Sequence, residues 1–174
     1  MKKNILLTIF VLINIASCCI HEKPTSFKQN FQQIDLRQKI KKINSNNKNK
    51  RSILFVMEAL KQLNRPYKHG GHSPQTGFDC SGLIVYCAKN SLNISIPRVT
   101  KDIIKLGKNI NRKKLQPGDL IFFQINSKNQ IHVGIYFIDE LFIHAPTTGK
   151  KVRIDNINNP YWKKHYKTAK RIIY

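Results

Sequence analysis

Cys80, His132 and His144 are the residues whose types and order could do chemistry in this chain. Cys80 stands in Asp79-Cys80-Ser81-Gly82, at the start of an apolar run, and both histidines follow on segments of strand character. A cysteine that attacks a carbonyl needs a base for its proton and a group that holds the base. Asp79 stands where a helix N-cap belongs, which puts Cys80 in the first turn. There the helix end carries about half a positive charge and unpaired N–H groups. Both are expected to lower the thiol pKa toward working pH. The same N–H groups can hold an oxyanion.

The histidines can be placed by register. If Ile138-Asp139-Glu140 is a hairpin turn centred on Asp139, Gly134 lies opposite His144. His132 is then on the same sheet face, diagonal to His144, about 7–8 Å away between Cα atoms and within imidazole reach. One ring can accept the thiol proton while the other fixes its orientation and tautomer. Gly134 would leave room beside His144. A zinc site built from Cys80, His132 and His144 is the rival, since a catalytic zinc needs only three protein ligands. No Cys-x-x-Cys or His-x-x-x-His spacing accompanies it, and no metal is expected.

Helices must present the cysteine and strands the histidines. Ser52 to Leu63 carries a helical stripe of Ile53, Val56, Met57 and Leu60, with Ser52 as a cap. Lys68 to Gly77 is a glycine-rich loop. Cys80 to Lys89 reads as a helix with Leu83, Ile84, Cys87 and Ala88 inward, and Asp102 to Leu106 as a further helical turn or two. The period then changes. Segments 120–125, 131–137, 141–144, 151–154 and 169–173 are short and rich in Ile, Val, Phe and Tyr. Helices first and strands afterwards predict an α+β fold with an antiparallel sheet.

The 174 residues suit one domain with a real core. Residues 1–17 read as an export signal, with Lys2 and Lys3 before an apolar run. Ile15-Ala16-Ser17-Cys18 resembles a bacterial lipobox, which would make Cys18 the lipidated first residue of the mature chain. Residues 18–51 read as a tether, with Phe27, Phe31 and Ile34 on one face of a short helix, and 52–174 as the folded domain. The net charge of +22 draws the chain toward polyanions. Export disfavours nucleic acid and points to anionic envelope polymer or lipid headgroups. Cys80 and Cys87 on one helix would lie about 10 Å apart, beyond the roughly 7 Å limit for a disulfide. Cys80 is therefore expected to be a free thiol and Cys87 a core residue.

The ordered set of motifs resembles the NlpC/P60 family of papain-like cell-wall cysteine peptidases. It runs through Leu63-Asn64-Arg65-Pro66-Tyr67, Gly70-Gly71, Gly77-Phe78-Asp79-Cys80-Ser81-Gly82 and Ile96-Pro97-Arg98. It continues through Pro117-Gly118-Asp119-Leu120, His132-Val133-Gly134-Ile135-Tyr136, Phe142-Ile143-His144-Ala145 and Pro160-Tyr161-Trp162-Lys163-Lys164. The last motif and the lipobox resemble the family's lipoprotein murein endopeptidases. The resemblance implies a papain-like NlpC/P60 fold, Cys80 as nucleophile, His132 as base and His144 as the orienting residue. It implies that Asp79, Ser81 and Tyr67 contact the stem peptide, that no cofactor is needed, and that peptidoglycan is cut through an acyl-enzyme. The expected protein is a monomer, lipid-anchored in the cell envelope. Two other readings stay open: a non-catalytic wall-binding or scaffold lipoprotein, and an amidase or acyltransferase using the same Cys–His pair. The sequence departs from the family at its hairpin turn, which lacks the usual glycine, at Ile103 in place of Gln, and at His165 in place of Arg.

Overall fold

A computed structural model describes residues 35, 37–42, 50–125 and 130–174. The export signal, Cys18 and the proposed helix through Phe27 and Phe31 lie outside these residues. The chain divides between residues 36 and 37, and all elements below belong to the second unit.

Helix α1 spans Lys50–Lys61 and buries Ser52, Phe55, Val56 and Ala59. It starts two residues before the expected Ser52 cap. Ser52 instead packs in the first turn against Gly118, where an added Cβ would lie 3.1 Å from the serine Cβ. The buried stripe is therefore rotated from the expected one: Ile53, Met57 and Leu60 are only partly buried. A small hairpin, β1 (His72–Ser73) and β2 (Gly77–Phe78), leads into helix α2, Cys80–Leu92. Asp79 caps α2 by accepting from the Gly82 amide, and Asn93 ends it in the left-handed conformation, φ 55°. Leu83, Ile84, Cys87 and Ala88 are buried, the set expected from their spacing. A short helix α3 follows at Thr100–Ile103.

Six strands form one sheet: β3 (Lys108–Ile110), β4 (Leu120–Gln124), β5 (Ile131–Tyr136), β6 (Leu141–His144), β7 (Arg153–Asn156) and β8 (Tyr166–Arg171). Their order is β3-β8-β4-β5-β6-β7, and every pairing is antiparallel. The α+β architecture is the expected one. Ile135 pairs with Ile143 and Tyr136 with Phe142, which centres the turn on Asp139. Asp139 and Glu140 both have positive φ, 50° and 63°, so the turn adopts the geometry that glycine or asparagine usually supplies. Side chains alternate across the sheet. Ile121, Phe123, Tyr136 and Phe142 share one face and form a cluster with Ile157 and Trp162. Trp162 comes from helix α4, Pro160–His165, which Asn159 caps through its bond to the Tyr161 amide.

Several elements depart from the sequence reading: the β1–β2 hairpin lies in the expected glycine-rich loop, and α3 begins two residues before the expected Asp102. Strand β3 and helix α4 had no counterpart in that reading. Strands β7 and β8 are displaced in opposite directions, to 153–156 and 166–171. The role of Gly134 also differs. An added Cβ there would lie 2.6 Å from the Phe142 ring, so the glycine admits Phe142 beneath the histidines rather than leaving open space.

Candidate active site

Cys80 begins α2, and Asp79 fixes that beginning. Asp79 Oδ1 accepts from the Gly82 amide (2.7 Å), the Ser81 hydroxyl (3.2 Å) and Arg98 Nη1 (2.9 Å). Its Oδ2 accepts from the Gly70 amide (2.9 Å) and Arg98 Nη2 (2.7 Å). Burial would raise this carboxyl's pKa, but the Arg98 bonds and the Gly82 and Gly70 amides lower it below its usual range. Gly82 lets the helix approach the preceding loop, because an added Cβ would strike the Gly71 carbonyl oxygen. Asp79, Arg98, Gly71 and Gly82 thus fix the first turn of α2, which carries Cys80.

Cys80 Sγ lies 3.8 Å from Thr100 Oγ1. Burial pushes the thiol pKa up, against lowering by Thr100 and by backbone bonds from Val133 and Ser81. The lowering expected from the helix end is thus opposed by burial, which raises the thiol pKa. The Val133 bond also sets the sulfur against β5, beside His132. Cys80 and Cys87 are both free thiols.

His132 and His144 are nearly inaccessible, at 5% and 0% exposure. Their rings meet edge-on, with His132 Nε2 2.9 Å from His144 Nδ1. Trp162 stacks on His132 at 5.5 Å between centroids, and Phe142 packs on His144 at 4.7 Å. Burial lowers the pKa of both histidines, that of His132 strongly. The far nitrogen of His144, Nε2, lies 3.0 Å from Asp155 Oδ2. Both nitrogens of His144 are therefore engaged, and none is left to ligate the zinc weighed above.

A cleft of about 550 Å³ is lined by Tyr67, Cys80, His132, Arg153, Asp155 and Trp162 among others. A second hollow, about 460 Å³, takes in Tyr67, Asp79, Cys80, Ser81, Arg98 and Thr100. Tyr67 and Cys80 belong to both, so a groove passes across the thiol. The structure brings Cys80, His132 and Tyr67 to one cleft and Asp79 and Ser81 to the other. Asp79 meets the second hollow with both carboxylate oxygens already engaged by protein donors. Sequence reasoning passed over Thr100, Arg153, Asp155 and Trp162. For Asp155 the only signal was an acidic residue, rare in this basic chain, just past the expected strand 151–154.

Comparison with known proteins agrees with this architecture. A model of the NlpC/P60 family matches residues 64–171. Murein DD-endopeptidase MepH of Escherichia coli is 39% identical over 127 residues, covering 71% of this chain and 47% of that protein. The probable endopeptidase NlpC of the same organism is 41% identical over 108 residues, covering 62% of this chain and 69% of its own. The chain thus spans about half the length of MepH. Among solved structures, an NlpC/P60 family protein from Bacillus cereus superposes with a TM-score of 0.66 at 33% identity, covering 71% of this chain and 40% of that one. A family match over most of the chain, carried by the same segments that build the thiol–imidazole groove, establishes that this protein belongs to the NlpC/P60 family.

Proposed function

We propose that this protein is a cysteine endopeptidase of the bacterial cell envelope that hydrolyses peptide bonds in peptidoglycan stem peptides or cross-links. The observation that carries the reading is the groove itself: Cys80 and His132 line one cleft, and His132 is tied to His144 at 2.9 Å. Names such as murein DD-endopeptidase among the relatives support the substrate class.

With a raised thiol and a depressed imidazole, the resting pair is a neutral thiol beside a neutral ring. Proton transfer then accompanies attack. The Cys80 sulfur bonds to the scissile carbonyl carbon as its proton passes to His132, and the carbonyl π electrons move to oxygen. Asp79 occupies the Gly82 and Leu83 amides and the Ser81 amide bonds the sulfur, which leaves the Cys80 amide as the helix-end donor for that oxygen. Collapse breaks the C–N bond, with the amine taking the proton from His132. Water then releases the acyl group by the reverse proton path. His144 orients His132 throughout, and Tyr67, Asp79 and Ser81 flank the path of the stem peptide.

Charge is consistent with an anionic envelope. Every side-chain carboxylate between residues 50 and 174 is ion-paired: Glu58 with Lys61, Asp79 with Arg98, Asp102 with Lys105, Asp119 with Arg171, Asp139 with Lys42, Glu140 with Arg112 and Asp155 with Arg153. The surplus lysines are left facing solvent, where they attract polyanions. Lipidation at Cys18 would hold the domain at a membrane, with residues 18–51 setting its reach. No helix among the described residues is long and apolar enough to cross a membrane.

Mass spectrometry of muropeptides digested by the purified protein tests the reading. Cleavage within stems or cross-links by wild type, lost in Cys80→Ala, is the expected result. Release of intact stems from the sugar would instead mark an amidase, and no product at all would mark a binder.

A further inference from the structure

Four hydrogen bonds converge on one carboxylate oxygen behind the histidines. Asp155 Oδ2 accepts from His144 Nε2 (3.0 Å), Trp162 Nε1 (2.9 Å), Arg153 Nε (3.1 Å) and Arg153 Nη2 (2.8 Å). Trp162 also stacks on His132, so it braces both ends of the imidazole pair. Burial would raise the Asp155 carboxyl, but the bonds from His144, Arg153 and Trp162 hold it far below the usual carboxylate range.

The proton positions follow from the donor inventory. An ionised carboxylate only accepts, so His144 Nε2 must carry hydrogen. A neutral imidazole has one N–H, which leaves His144 Nδ1 bare. His144 Nδ1 must then accept, and His132 Nε2 must donate across their 2.9 Å contact. His132 is neutral too, so its Nδ1 is bare.

We propose that Asp155 is a positioning residue that, through His144, locks both imidazoles as Nε2–H tautomers and so leaves His132 Nδ1 as the nitrogen that takes the Cys80 proton. The proposal rests on the reading of Cys80 and His132 as nucleophile and base, but the tautomers themselves can be observed without turnover. Asp155 stays ionised during the reaction. Its charge stabilises the imidazolium formed two bonds away. The competing account makes Asp155 only the ion-pair partner of Arg153 on β7.

The test is a long-range ¹H–¹⁵N correlation of the histidine rings in ¹⁵N-labelled full chain at pH 7.5. Wild type is expected to show protonated Nε2 and bare Nδ1 on both His132 and His144. In Asp155→Ala the lock is gone, and both rings should gain an Nδ1–H population. Asp155→Asn should keep the wild-type tautomers, because Arg153 and Trp162 are donors that favour an oxygen at that spot. Turnover should follow the same order: kcat falls by about 10²-fold or more in the alanine variant, with KM little changed, and largely recovers in the asparagine variant. Unchanged tautomers in a folded Asp155→Ala protein would overturn the proposal. If that variant does not fold, an Nδ1–H signal from either ring in wild type would overturn it equally. A chain with locked tautomers and no peptidase activity would refute the functional reading and leave the lock standing.

Discussion

His132 and His144 share a hydrogen bond across neighbouring antiparallel strands, 2.9 Å from Nε2 to Nδ1, with His144 fully buried and His132 showing only an edge to the cleft. Strand pairing sets this distance. A one-residue slip in the β5–β6 register would send one ring to the other sheet face. The pair is desolvated as a unit, and burial lowers both pKa values.

Reactivity should reflect the neutral resting pair. Catalysis needs unprotonated His132, so kcat/KM should rise with pH through an ionisation below the ordinary histidine value of about 6.5. Cys80 has its thiol pKa raised by burial, so alkylation by iodoacetamide should keep accelerating above pH 8. An alkylation rate already flat between pH 6 and 8 would indicate a preformed thiolate and contradict this account.

Stability should fall early on acidification. Both buried histidines have folded pKa values below their unfolded ones. The unfolded chain therefore binds protons first as pH drops below about 6.5, and stability falls with it. Asp79 and Asp155 have depressed folded values, so their contributions persist above about pH 4 and vanish only below it. Urea midpoints should decline between pH 7 and 5, then again below 4. A midpoint constant from pH 7 to 5 would rule out the histidine contribution.

Arg98 makes two bonds to Asp79, one to the Ser81 hydroxyl and a longer one to the Gly71 carbonyl. Its removal strands a mostly buried carboxylate under the nucleophile. Arg98→Ala should lose about 2–3 kcal/mol of stability, less than a fully buried pair because the guanidinium is partly exposed. Arg98→Lys cannot reproduce the fork and should recover only part of it. Denaturant unfolding of both variants checks the order.

The turn at Asp139-Glu140 places a glutamate at φ 63°. Glu140→Gly should relieve that conformation and raise stability by about 0.5–1 kcal/mol, partly offset by loss of the partly exposed pair with Arg112. A lower thermal midpoint would show that the Arg112 contact outweighs the backbone.

What the sequence made legible was whatever depends on short-range pattern. Asp79 as cap, the inward set Leu83, Ile84, Cys87 and Ala88, and the Asp139-centred register could all be read from spacing. Placing His132 and His144 on one face followed from that register. The stripe of α1 was harder to read, because Ser52 and Ala59 are small enough to be buried at the contact while Ile53 is left partly exposed. Helix α4 is six residues long, too short for a period, though Asn159-Pro160 was a capping signal. Strand β3 contains only one apolar residue and pairs at the sheet edge with β8. Asp155 was hidden because its partners, His144 and Trp162, lie 11 and 7 residues away and converge only in three dimensions.

The central claim is covalent catalysis by Cys80. The most direct measurement is intact-mass spectrometry of the protein acid-quenched during muropeptide turnover, followed by peptide mapping. The account predicts an added mass equal to the acyl half of the cleaved stem, carried on Cys80, and neither adduct nor cleavage in Cys80→Ala. Muropeptide cleavage by Cys80→Ala at the wild-type rate would contradict it.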